Sequence, residues 1–231
     1  MIKVEPTAST ETKPRQIIGG IEILFEDPHL IVLVKPAGLL SQSDHSEEPS
    51  LVTHLRTYLK RNYVGLIHRL DRNTSGIMIV AKRTKSAQRL SQSLLEGKLK
   101  RSYLSWLLGE LKGAVHWSHA LLKDERTNTV RVVSPQSQKG KSAKLFAEPL
   151  KVALWRNQKF TLAEITLETG RSHQIRVQAA YEGHPVLGDR KYGQALGFPR
   201  TALHSYRLEF PHPMSGETLS FTAELPADLN L

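Results

Sequence analysis

Cysteine is absent from the 231 residues, which removes disulfides and thiolate metal sites and makes a cytoplasmic setting the default expectation. No apolar run approaches the ~20 residues a membrane helix needs, and the first residues, MIKVEPTASTETKPRQ, contain no apolar signal-like core. No membrane partner is therefore expected. Acidic residues are in short supply: 22 Asp and Glu stand against 32 Lys and Arg, a formal net charge of +10. That balance argues for a polyanionic partner, nucleic acid first. Metal-site patterns are missing too, since neither an HExxH pair nor a Cys/His cluster occurs.

What is present begins with LIHRLDRNTSGIMIVAK, residues 66 to 82. Arg69 to Gly76, with only Leu70 apolar among them, separate the short apolar runs VGLI and IMIV. Such runs read as buried strands, and a loop held between buried strands is rigid enough to carry chemistry. Its one carboxylate, Asp71, lies between Arg69 and Arg72; an Asp kept as carboxylate suits a nucleophile or a cation ligand better than a general acid. Asp71-x-Asn73-x-Ser75-Gly76 copies the start of a calcium loop, but position 12 is Lys82 rather than Glu. Gly140-Lys141-Ser142 suggests a phosphate loop, but its first glycine falls on Pro135. No metal and no nucleotide cofactor is expected.

Residues 1–20, polar and ending in Gly19-Gly20, read as a flexible tail, and 21–231 as a single catalytic domain. IEILFED and LIVLVK form a hairpin; Ser50 caps a helix carrying Leu51, Val52, Leu55 and Leu59 on one face; a second helix spans about 84 to 95. Strands follow near 100–109, 114–121, 128–134, 143–154 and 159–168, then a helix near 171–182 and strands at 203–210 and 219–225. The order implies an α+β fold with a mixed, largely antiparallel central sheet and flanking helices. Residues 82 to 101 hold seven basic residues against Glu96 alone, which reads as a track for a nucleic-acid backbone.

LIHRLDRNTSG resembles the HRLDxxTSG signature of the RluA-type pseudouridine synthases. Further elements stand in that family's order: KPAG (35–38), KRSY (100–103) resembling its K-x-Y, ETGRSHQIRV (168–177), GHPVLGDRKYG (183–193), and LHSYRLEF followed by PHP (203–213). The resemblance implies an enzyme that isomerises uridine in structured rRNA or tRNA by detaching the base, rotating it and rejoining it through carbon, with no cofactor or metal. It implies Asp71 as nucleophile, Tyr103 as the tyrosine that stacks on the base and assists proton removal, and Arg176 as partner of the Asp71 carboxylate. Arg69 would displace the target base, and Arg72, Thr74, Arg171 and His173 complete the substrate-binding set. Gln178, Ser205 and Ser105 depart from the family's usual residues beside the site and bear on which RNA is used. A monomer is expected. The rival readings are a non-catalytic basic RNA-binding protein with the same fold and a metal-dependent phosphoesterase; the second lacks a ligand set.

Overall fold

IMIV is apolar without alternation because both of its faces are covered. In the computed structural model, which describes residues 15–17, 19–43 and 48–231, the strands are β1 (Arg15–Ile17), β2 (Ile21–Glu26), β3 (Leu30–Lys35), β4 (Gly65–Leu66), β5 (Ser75–Ala81), β6 (Lys100–Leu108), β7 (Val115–Asp124), β8 (Thr129–Val133), β9 (Lys141–Trp155), β10 (Gln158–Leu167), β11 (Leu203–Pro211) and β12 (Thr218–Thr222). The helices are α1 (Leu51–Leu59), α2 (Thr84–Leu95) and α3 (Gln174–Tyr181). Period-2 side chains split β3 and β5 between two cores. Ile31, Leu33, Met78 and Val80 join Leu51 and Leu55 of α1, while Leu30, Val32, Ile77 and Ile79 join Leu90 of α2. Each such side chain, fully buried, contributes ~1.5–3 kcal/mol.

Among the described residues the twelve strands form one sheet in the order β1-β2-β3-β5-β11-β6-β10-β9-β7-β8, with β4 on β5 and β12 on β11. Its pairings are antiparallel except that of β5 with β11. This parallel junction brings His204 and Ser205 against Ser75 and Gly76. Gly76 makes it possible: φ is 116°, and a Cβ there would stand 2.2 Å from the Ser205 carbonyl oxygen.

The α+β architecture is as the sequence implies, with local differences. β1 extends the sheet from within the stretch expected to be a tail; residues 1–14 and 18 lie outside the described residues. VGLI pairs only over Gly65–Leu66. α3 starts at Gln174 rather than near 171, because the Gln174 side chain accepts the Arg171 N–H at 2.9 Å and His173 sits in the left-handed region, φ 51°. None of the helices among the described residues is long and apolar enough to cross a membrane.

Candidate active site

The chain from Ile67 to Thr74 is fastened through its backbone. Ser41 Oγ donates to the Leu70 carbonyl at 2.7 Å and accepts its N–H at 3.1 Å. The Arg72 carbonyl accepts from Gly38 N at 2.8 Å and from Lys35 Nζ at 3.2 Å. Arg200 Nη1 donates to the Asn73 carbonyl at 3.1 Å, and Thr74 N closes the turn on the Asp71 carbonyl at 3.0 Å. Lys35 is fully buried and also donates to the Pro36 and Leu39 carbonyls. Burial depresses its ammonium to about 7, with Asp71 opposing and Arg200 adding to the effect. A loop tied at so many backbone atoms presents its one carboxylate in a fixed place.

That carboxylate meets α3. Arg176 Nη1 donates to Asp71 Oδ2 at 2.7 Å, while its Nε and Nη2 grip Asp189 Oδ2 and Oδ1 at 2.7 and 2.8 Å. Asp189 is fully buried and also accepts the backbone N–H groups of Lys191 and Tyr192. Burial would raise its carboxyl, but the Arg176 bonds and charge and the two N–H groups hold it below the usual carboxylate range. Arg176 also lies over the Tyr192 ring, 5.1 Å from its centroid. The guanidinium is thereby fixed by Asp189 and Tyr192, and it fixes Asp71 in turn. Asp71 Oδ1 faces His173 Nε2 at 3.9 Å, too far for a hydrogen bond. The Tyr192 hydroxyl accepts the Val130 N–H at 2.9 Å and shares a hydrogen bond of 2.6 Å with His173 Nδ1. Burial, aided by Arg176 and Lys191, outweighs the nearby carboxylates and keeps His173 below its ordinary value, hence neutral.

Asp71, Tyr103, Arg176 and His173 line one cavity of about 1140 Å³, and Arg69, Arg72, Thr74 and Arg171 line it too. Arg69, Arg72 and Arg171 are exposed. Arg72 reaches Glu48 at 2.6 Å and Arg171 the Ser142 carbonyl at 2.9 Å. Thr74 is buried and its N–H is engaged in the loop turn. Tyr103 is 5% exposed; burial raises its hydroxyl, Asp71 adds to this and Arg101 opposes it. The phenol is therefore neutral at physiological pH.

Sequence reasoning missed Asp189, Lys35, Tyr192 and Arg200. A lone acid in GDRKYG and a lysine beside a turn carry no local signal of what they grip. The basic tract is partly engaged within the protein. Lys82 pairs with Glu26 at 2.8 Å and donates to the Asp27 carbonyl, Arg83 donates to the Pro28 carbonyl, Lys98 and Lys100 pair with Glu96 and Glu209, and Arg101 is buried. Among the described residues no group of three or more His, Asp or Glu side chains converges as a metal site.

Residues 29–181 match the family model described as RNA pseudouridylate synthase. The ribosomal large subunit pseudouridine synthase D of Nitrosomonas europaea is 35% identical over 229 residues, 90% of this chain and 63% of the relative. YjbO of Bacillus subtilis, named as an uncharacterized RNA pseudouridine synthase, is 36% identical over 222 residues, 91% of this chain and 74% of the relative. The chain thus spans a little under two thirds of the large-subunit synthase D it matches. The solved structure of human RNA pseudouridylate synthase domain containing 1 shares the fold, with a TM-score of 0.75 and 24% identity over 90% of this chain and 85% of that one.

Proposed function

Because the chain belongs to the RNA pseudouridylate synthase family, we propose that it isomerises uridine in structured RNA to pseudouridine, with Asp71 as nucleophile and the target base turned out of its stack into the cavity. The observation that carries this reading is the Asp71 carboxylate itself. One oxygen is held by Arg176 at 2.7 Å, and among the described residues the other is left facing the cavity without a hydrogen bond. A carboxylate oriented through one atom and open at the other is placed to attack. Tyr103 supplies a ring on which a flipped base stacks, a contact worth ~1–3 kcal/mol against the cost of unstacking. Its neutral hydroxyl is a donor at the outset. The exposed Arg69, Arg72 and Arg171 are placed to meet the backbone and the space left in the stack.

The same reading takes the chain to act as a monomer. Relatives named as ribosomal large subunit synthases make large-subunit rRNA the first substrate to try, with tRNA second. Pseudouridine mapping of both RNAs, incubated with and without the purified chain, tests the reading. Conversion at one or a few defined uridines is expected; tight binding of both RNAs with no conversion anywhere would instead support the non-catalytic RNA-binding alternative.

A further inference from the structure

Among the described residues, Arg101 is a buried cation of the cavity lining that has no counter-charge. It lies two residues before Tyr103 on β6, so both side chains leave the sheet on the same face, and both line the cavity with Asp71. Its neighbour Lys100 points outward to Glu209. Arg101 is 7% exposed, and its Nε is buried with no hydrogen-bond partner. Among the described residues no carboxylate pairs with it, whereas buried Arg200 forks onto Asp228 and Arg176 onto Asp189. A buried charge left this way is expensive.

The head group packs against backbone rather than against an opposite charge. A Cβ on Gly170 would stand 2.8 Å from Arg101 Nη1 and 3.0 Å from Nη2, so the guanidinium lies against the Gly170 backbone in a seat that only glycine leaves open. His68 is buried close by, with its own Nδ1 unpaired. Burial and the Arg101 charge push that imidazole down to about 3, so it stays neutral. The lining here holds a buried guanidinium, packed against the Gly170 backbone and with its Nε unpartnered, beside the proposed base platform.

We infer that Arg101 receives the uracil ring, donating hydrogen bonds to O2 or O4 and stabilising the charge the base carries while detached. This rests on the proposed isomerisation. There the C1′–N1 bond breaks with its electron pair going to the base, and Asp71 bonds C1′. The uracil anion spreads the charge over N1, O2 and O4. The pair returns in the new C5–C1′ bond as Asp71 leaves; C5 then loses a proton and N1 gains one. A guanidinium, permanently charged and rigid, suits charge that appears only during the reaction. Phosphates instead meet the exposed Arg69, Arg72 and Arg171.

The test compares wild type, Arg101→Met and Gly170→Ala on an RNA carrying the mapped uridine, 2-thiouridine or 4-thiouridine at the target. Single-turnover rate, RNA affinity as a function of salt, and thermal unfolding are measured. Arg101→Met is expected to lower the rate by ~10²-fold or more, with affinity and salt slope unchanged and thermal stability equal or higher. Gly170→Ala, at a position of ordinary φ, lowers the rate less by displacing the guanidinium. Sulfur at the contacted position slows wild type and adds nothing in Arg101→Met. A lost affinity with a shallower salt slope, a thio effect of the same size in both proteins, or a collapse of stability that accounts for the lost rate each overturns the inference. Wild-type conversion with Arg101→Met at full rate overturns this assignment alone; no wild-type conversion of any uridine overturns the isomerase reading with it.

Discussion

Two parts of one cavity lining treat buried charge in contrary ways. Around Asp71, Arg176 and Asp189 the opposite charges meet at 2.7 to 2.8 Å. Around Arg101 and His68, polar atoms are buried without partners. The first part is complete before substrate arrives and holds a carboxylate still. The second is incomplete before substrate arrives, and a bound base would complete it. Stability and function should therefore separate: substitutions in the paired part damage both, and those in the unpaired part damage function alone.

The largest effect on stability is expected from Arg176→Met. It strands Asp189, fully buried, and Asp71, which is 30% exposed, and should cost ~3–5 kcal/mol. Turnover should fall by more than any loss of RNA affinity explains, which single-turnover kinetics beside a binding titration will show. Equal destabilisation by Arg101→Met, read by denaturant unfolding, would erase the contrast.

Asp189→Asn should do less. The amide keeps one acceptor for the Arg176 fork but loses the charge and the second oxygen, for ~1–3 kcal/mol. The rate should fall with it, because Arg176 is then held less firmly against Asp71.

The unpaired part also predicts a pH dependence. His68, pushed down to about 3 by burial and the Arg101 charge, takes up a proton in the unfolded chain below its ordinary pKa of ~6.5 but not in the folded one. Its contribution is therefore whole above pH ~6.5 and is lost as the pH falls from there toward 3. Unfolding free energy measured from pH 7 to 4 should decline less steeply in His68→Phe than in wild type. His204, held near 4 by burial, leaves a residual slope in both.

The smallest effect concerns surface cations. Arg171→Ala should shift stability by under ~1 kcal/mol and reduce the salt slope of RNA binding by about one. Lys82→Ala, whose ammonium is engaged by Glu26 and the Asp27 carbonyl, should leave the slope unchanged.

The sequence was most informative where the determinant is local. Ser50 accepts the Thr53 N–H at the start of α1, α2 runs from 84 to 95, and the β2–β3 hairpin lies where IEILFED and LIVLVK put it. The loop that carries Asp71 is legible for the same reason: turn-forming residues sit between apolar runs. The reach of Arg176 to Asp71, 105 residues away, became legible only through the ordered set of motifs. What could not be read is pairing across the chain. The parallel meeting of β5 and β11 leaves only Gly76 as a local trace. Asp189 is invisible as the fork partner of Arg176, and the basic stretch 82–101 gave no sign that Glu26 and Glu209 claim two of its lysines. Gln178, noted only as a departure from the family pattern, donates to the Trp117 and Ala143 carbonyls and meets His119 Nδ1 at 2.9 Å, tying α3 to β7 and β9.

The central claim, that the Asp71 carboxylate carries the chemistry, is tested most directly by single-turnover pseudouridine formation with saturating Asp71→Asn enzyme. The amide is nearly isosteric and its oxygen still accepts from Arg176 Nη1, so thermal unfolding should shift less than in Arg176→Met. RNA affinity should stay within a few-fold of wild type, since the exposed arginines and the Tyr103 platform are untouched. The predicted result is a rate reduced by more than ~10³-fold. Conversion within about tenfold of the wild-type rate, by a folded and RNA-bound Asp71→Asn protein, would contradict the account.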